Sequence, residues 1–118
     1  MYGVPQNLDI AFLHGASVIQ VCLSQHQIQL HFHPVGSISI EGRWELHDAN
    51  DFRIDRSHDT PNRPPYQLHR LLGQHVAATE VAAPGSFSLR FETGELLRVF
   101  DDSKQFESFS IQPGDIFV

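Results

Sequence analysis

Phe87-Ser88-Leu89-Arg90-Phe91-Glu92-Thr93-Gly94 is the stretch whose reading decides the fold. Apolar and polar residues alternate strictly along it, the two-residue period of a half-buried strand, and the closing glycine supplies a turn. Gln27–Gly36 follows the same pattern, with Ile28, Leu30 and Phe32 at one constant sequence offset from Phe87, Leu89 and Phe91. This spacing predicts two copies of one supersecondary unit.

The surrounding sequence extends both copies. A β-branched, apolar segment precedes each alternating strand, Ala16–Leu23 in the first and His75–Ala82 in the second. Turns at Pro34-Val35-Gly36 and Glu92-Thr93-Gly94 lead into third strands, Ser37–Ile40 and Leu96–Phe100, where Ile38 with Leu97 and Ile40 with Val99 keep the same offset. Upstream, Pro5–Gly15 and Pro64–Gly73 place apolar residues three and four apart between a proline entry and a glycine exit, which predicts a short helix of about two turns in each copy. Gly15 with Gly73, Leu13 with Leu71 and Val18 with Val76 share an offset shorter by one, so a single inserted residue reconciles the two. Closing strands are expected at Arg43–His47, with Trp44 and Leu46 inward, and at Phe106–Ile111, with Phe109 and Ile111 inward. Trp44 and Phe109 are further apart than the repeat offset, which places an added turn at Asp101–Gln105.

The expected architecture is therefore a β-rich α+β domain. Two tandem antiparallel β-meanders, each a short helix plus three to four strands, pack about a pseudo-twofold as a sandwich or barrel-like roll. The first repeat spans about 5–47, a polar linker 48–63 with a short extended piece at Phe52–Asp55, the second repeat about 64–112, and an edge strand Asp115–Val118 follows the turn signal Pro113-Gly114. The expected core is Leu13, Val18, Val21, Ile28, Leu30, Phe32, Ile38, Ile40, Trp44, Leu46, Leu68, Leu71, Leu72, Val76, Phe87, Leu89, Phe91, Leu97, Val99, Phe109 and Ile111. A chain of 118 residues with 41% hydrophobic content is long enough for one such core.

The net charge of −6 comes from 14 acidic against 8 basic side chains, a sign that repels phosphate backbones and suits a basic protein partner. Arg43, Arg53, Arg56, Arg63, Arg70, Arg90, Arg98 and Lys104 are spread singly along the chain near acids such as Glu41, Asp55 and Glu92, so no basic patch for nucleic acid is expected. Cys22 is the only cysteine and reads as a small buried hydrophobe, without a disulfide framework or a cysteine zinc cluster. Met1–Ile10 has neither the basic region nor the apolar run of a signal peptide, and no stretch approaches the length of a membrane span, so a cytoplasmic home is expected.

Candidate chemistry rests on few residues. His31 and His33, two apart on a strand, share a face and are the natural pair for a zinc ion. The corresponding positions hold Arg90 and Glu92, so His31, His33, Arg90 and Glu92 form the expected binding set on a polar sheet face. No cysteine or third ligand accompanies the histidines; no cofactor is expected, with zinc as the alternative. Asp48-Ala49-Asn50-Asp51-Phe52-Arg53 begins like a calcium loop and fails where Phe52 takes a ligand position and Arg53 replaces the glycine. Asp55, His58 and Asp59 form a polar cluster in the linker that could hold a metal or exchange protons. Nucleophile, phosphate-loop and dinucleotide motifs are absent, so a non-enzymatic protein is expected.

The strand Leu89-x-Phe91-x-x-Gly94-x-x-Leu97, followed by an aromatic-x-aliphatic strand (Trp44-x-Leu46, Phe109-x-Ile111), resembles small bacterial proteins of an uncharacterised domain family, over roughly residues 8–47 and 66–112. Some proteins of that kind resemble immunity proteins, which bind and neutralise a toxin domain. The resemblance implies an inhibitor whose partner is a basic toxin domain. The alternatives are a metal- or small-ligand-binding module using the histidine-rich first repeat, and a homodimer formed through the Asp115–Val118 edge.

Overall fold

The structure is a computed structural model, which describes residues 10–24, 27–57, 65–83, 85–101, 109–112 and 116–117. Among the described residues ten strands form: β1 (Ser17–Leu23), β2 (Ile28–His33), β3 (Ser37–Ile40), β4 (Trp44–His47), β5 (Arg53–Arg56), β6 (Val76–Ala82), β7 (Ser86–Phe91), β8 (Leu96–Phe100), β9 (Phe109–Gln112) and β10 (Ile116–Phe117). They make two antiparallel sheets of five strands, neither closed. The first sheet runs β1-β2-β3-β9-β10 and the second β5-β4-β8-β7-β6.

Strand alternation decides what each sheet buries. On β2 and β7, Ile28, Leu30 and Phe32, and Phe87, Leu89 and Phe91, all face inward and are at most 3% exposed. They join the inward residues of the neighbouring strands in a single hydrophobic cluster between the sheets. Phe87 of the second sheet meets Phe109 of the first edge-to-face, ring centroids 4.8 Å apart. The expected core is buried apart from two members: Val21 is only partly covered, and Leu72, in the turn after a helical segment, is 49% exposed. Ile10, Ala16 and Leu96 are buried in addition.

Two features differ from the sequence expectation. The predicted two-turn helices are single 3-10 turns, Ala11–Leu13 and Leu68–Leu71, and the described residues contain no α-helix, so they form an all-β domain rather than an α+β one. Packing overrides the apolar spacing here. In the second turn the N–H of Gln67 is held by Asp55 Oδ2 at 2.7 Å, and Gly73 turns the chain away at φ 81°, leaving room for one turn. The closing strands, moreover, do not complete their own meanders. β4 pairs with β8 in the second sheet and β9 pairs with β3 in the first, so each three-stranded meander receives its fourth strand from the other half of the chain. Trp44 lies opposite Val99, and Phe109 lies opposite Ile40.

The sheets also meet at one corner. Gly15 N–H donates to the Val76 carbonyl and Gly73 N–H to the Val18 carbonyl, both at 2.8 Å; Val18 N–H donates to the Gln74 carbonyl at 3.0 Å and Val76 N–H to the Ala16 carbonyl at 2.9 Å. Each bond recurs at the equivalent positions with the halves exchanged. Between them Ser17 pairs with His75 in an isolated antiparallel bridge.

The expected linker contains a strand. Asp48–Phe52 is the loop of a β4–β5 hairpin: Asp48 Oδ1 accepts the N–H groups of Asn50 at 2.9 Å and Phe52 at 3.0 Å, and Asp51 adopts φ 66°. The residues that open like a calcium loop thus cap their own backbone. The short extended piece expected at Phe52–Asp55 is β5. The loop presses on the β7–β8 turn, where Gly94 has φ 94° and an added Cβ would lie 2.8 Å from Ala49 Cβ. Gly94→Ala is expected to cost about 2 kcal/mol or more, from the positive φ and this overlap together. Gly15→Ala, at φ 83° with nothing within 4 Å, is expected to show the backbone strain alone. Equal losses of stability in chemical denaturation would refute the contact with Ala49.

Candidate functional site

Residues opposite one another in an antiparallel pair share a face, so register assigns each outward side chain. On the first sheet the outward positions are Ser17, Gln20, Cys22, Gln29, His31, His33, Ser37, Ser39 and Ser110, together with strand positions whose side chains are outside the described set. These strand positions carry no aspartate, glutamate, lysine or arginine; Glu41, two residues after Ser39, borders the face and accepts a hydrogen bond from Gln27 Nε2 at 3.4 Å. The second sheet is different. One row across it reads Glu80, Ser88, Arg98, Glu45, Arg56, and the next reads Ala78, Arg90, Leu96, His47, Arg53. Arg43, two residues before Glu45, lies with its guanidinium over the Phe100 ring, 3.7 Å from the centroid.

Five of the chain's seven arginines therefore share one sheet face with two glutamates. This corrects the expectation of singly spread basic residues: Arg43, Arg53, Arg56, Arg90 and Arg98 are dispersed along the chain but gathered by strand pairing. Glu45 lies among them, with Oε2 3.8 Å from Arg43 Nη1 and 3.6 Å from Arg53 Nη1, and Oε1 3.1 Å from His47 Nε2. Arg98 Nε donates to Ser88 Oγ at 3.4 Å, and Arg90 Nη1 donates to the Gly94 carbonyl at 2.9 Å. The β4–β5 hairpin loop carries Phe52, immediately before Arg53 and 69% exposed. Arg70 stands apart, its Nε 3.1 Å from Oε2 of the buried Glu95, and Arg63 and Lys104 lie outside the described residues.

The expected binding set is divided by the fold. His31 and His33 lie outward on β2 of the first sheet, while Arg90 lies outward on β7 of the second; Glu92 is in the β7–β8 turn. His33 pairs with Ser17, Ser17 with His75, and Glu92 N–H donates to the His75 carbonyl at 2.9 Å. Three strand spacings, roughly 14 Å, therefore separate His33 from Glu92, too far for one ion. Among the described residues no group of three or more His, Cys, Asp or Glu side chains is placed to hold a metal. Of the linker cluster, His58 and Asp59 lie outside the described residues, and so do Asp102–Gln105 of the expected added turn. Asp55 is buried and structural, accepting the N–H groups of Arg56 and Gln67.

What reasoning from sequence missed is the arginine face. Arg90 and Arg98 alternate on one side of their strands, but the approach of β5 and of Arg43 needs the pairing of β4 with β8, which crosses between halves.

Fold and surface together define an all-β two-sheet protein with one face of mostly uncharged polar residues and one arginine-rich face among the described residues. No helix among them is long and apolar enough to cross a membrane. The chain belongs to a family of unknown function, DUF6188, which it matches over residues 10–115. No curated protein and no solved structure matches it.

Proposed function

We propose that this chain is a non-enzymatic protein-binding module that acts by occupying its partner, as an immunity-type inhibitor does. The observation that carries the reading is the sheet face bearing five arginines, with Phe52, an aromatic side chain 69% exposed, in the hairpin loop immediately before Arg53. Aromatic residues and arginine dominate the energetics of protein interfaces, and a sheet offers the broad, shallow surface that a protein partner covers. The guanidinium groups of Arg43, Arg90 and Arg98 rest on the Phe100 ring, the Gly94 carbonyl and Ser88 Oγ, so less of their side-chain freedom is lost on docking.

The same reading takes the chain as two copies of one unit, supported by the hydrogen bonds that recur with the halves exchanged. The copies diverge where the face lies: Arg90 and Arg98 stand where the first copy has His31 and Ser39. We place the protein in the cytoplasm, in keeping with its single cysteine.

Capture from a lysate of the source organism tests the reading. The tagged protein is expected to retain one partner in stoichiometric amount, and Phe52→Ser to reduce that capture at least tenfold. Ile19→Ser, at an exposed position of the first sheet, is expected to leave it unchanged. Capture that is indifferent to Phe52, or no capture at all, would overturn it.

A further inference from the structure

Resting on the reading of this face as an interface, we propose that it receives an acidic protein surface, whose carboxylates dock on Arg53, Arg90 and Arg98. Each guanidinium offers five N–H donors in a planar fork that fits a carboxylate two bonds at a time. Arg90 spends one donor on the Gly94 carbonyl and Arg98 one on Ser88 Oγ. Arg53 only approaches Glu45, at 3.6 Å, and Arg90 Nη2 only approaches Asp51, at 3.9 Å. Arg53 and Arg90 are 48% and 44% exposed, so their remaining donors are open to an incoming anion.

Charge complementarity selects the occupant. The face holds five arginines and two glutamates on a chain whose net charge is −6, so the rest of the molecule is more negative than the total. An acidic protein is repelled over that remainder and attracted here, which orients the encounter. A basic toxin surface, the partner that net charge alone suggests, would meet repulsion at this face. Nucleic acid fits less well: a continuous phosphate backbone crossing the sheet would run over Glu45 and Glu80, whereas separate carboxylates can settle between them.

Fluorescence anisotropy with labelled poly-L-glutamate and a single-stranded oligonucleotide of equal charge, each titrated with the full-length protein at low and at physiological salt, tests the inference. Poly-L-glutamate is expected to bind at low salt, to weaken as salt rises, and to lose about tenfold in affinity on the double change Arg53→Ser and Arg98→Ser. Arg90→Glu, a single exposed charge reversal, is expected to weaken it at least as much. Gln20→Ser, on the first sheet, is expected to change nothing. Thermal unfolding of each variant separates lost binding from lost structure. Failure of the wild type to bind poly-L-glutamate, affinity indifferent to the arginines, or tighter binding of the oligonucleotide would each overturn the inference. A partner captured through Phe52 while poly-L-glutamate is ignored overturns it too, and leaves the binding-module reading standing.

Discussion

Phe109→Ala is expected to destabilise the fold by about 3–5 kcal/mol, a large part of what a domain of this size possesses. Phe109 is 1% exposed, sits opposite Ile40 in the first sheet and packs its ring edge-to-face on Phe87 of the second. Truncation removes apolar area from water-free surroundings and opens a cavity between two sheets whose backbones are held by their own ladders and cannot close over it. It also loosens β9, the strand by which the second half of the chain completes the first sheet and to which β10 is attached. Urea denaturation of Phe109→Ala and Phe109→Leu checks this, with the leucine variant expected to recover more than half of the loss. A cost below about 1 kcal/mol for the alanine variant would mean that β9 is dispensable to the core.

The second large effect is expected at Asp55. Its carboxylate is 8% exposed and accepts two backbone N–H groups, Arg56 at 2.8 Å and Gln67 at 2.7 Å. Gln67 opens the second 3-10 turn, and beside it Tyr66 stacks on Trp44 with ring centroids 6.2 Å apart. Asp55 thus fastens the chain where it re-enters the domain. Asp55→Ala leaves both donors without this acceptor and is expected to cost about 2–3 kcal/mol, since bonds to a charged group are the strong ones and a buried donor left unmade carries its full desolvation penalty. Asp55→Asn keeps one carbonyl oxygen and is expected to lose about half as much. Hydrogen exchange should localise the change, with the Gln67 amide losing its protection in Asp55→Ala; an unaffected Gln67 amide in that variant would refute the tether.

Most of the strand pattern is legible in the sequence, because it follows from a local cause. Ile28, Leu30, Phe32 and Phe87, Leu89, Phe91 alternate with polar residues, and that period permits only one face to be buried. The core residues follow from the same alternation, and so do the turns at Gly36 and Gly94, both at positive φ. The helical turns are misjudged because their length is set by distant partners: the carboxylate of Asp55 and the Trp44 ring fix Gln67 and Tyr66, and no spacing within Pro64–Gly73 reports this. The exchange of β4 and β9 is hidden for a related reason. A strand such as Trp44–His47 has the same alternation whether its neighbour is β3 or β8, and only the inward residues of the receiving strand differ. The arginine face inherits that obscurity, since four strands from both halves must be in place before it exists.

The exchanged strands bear on how this chain can be made. As the chain leaves the ribosome, β3 emerges before β4 to β8 and its neighbour β9 only after them, and until then this edge of Ser37–Ile40 has no native strand to meet. The amino-terminal portion has little reason to settle before then, and its pairings are of the long-range sort that make β-proteins slow to fold. That interval leaves the backbone edge of Ser37–Ile40 unpaired, open to pairing with another chain until β9 arrives.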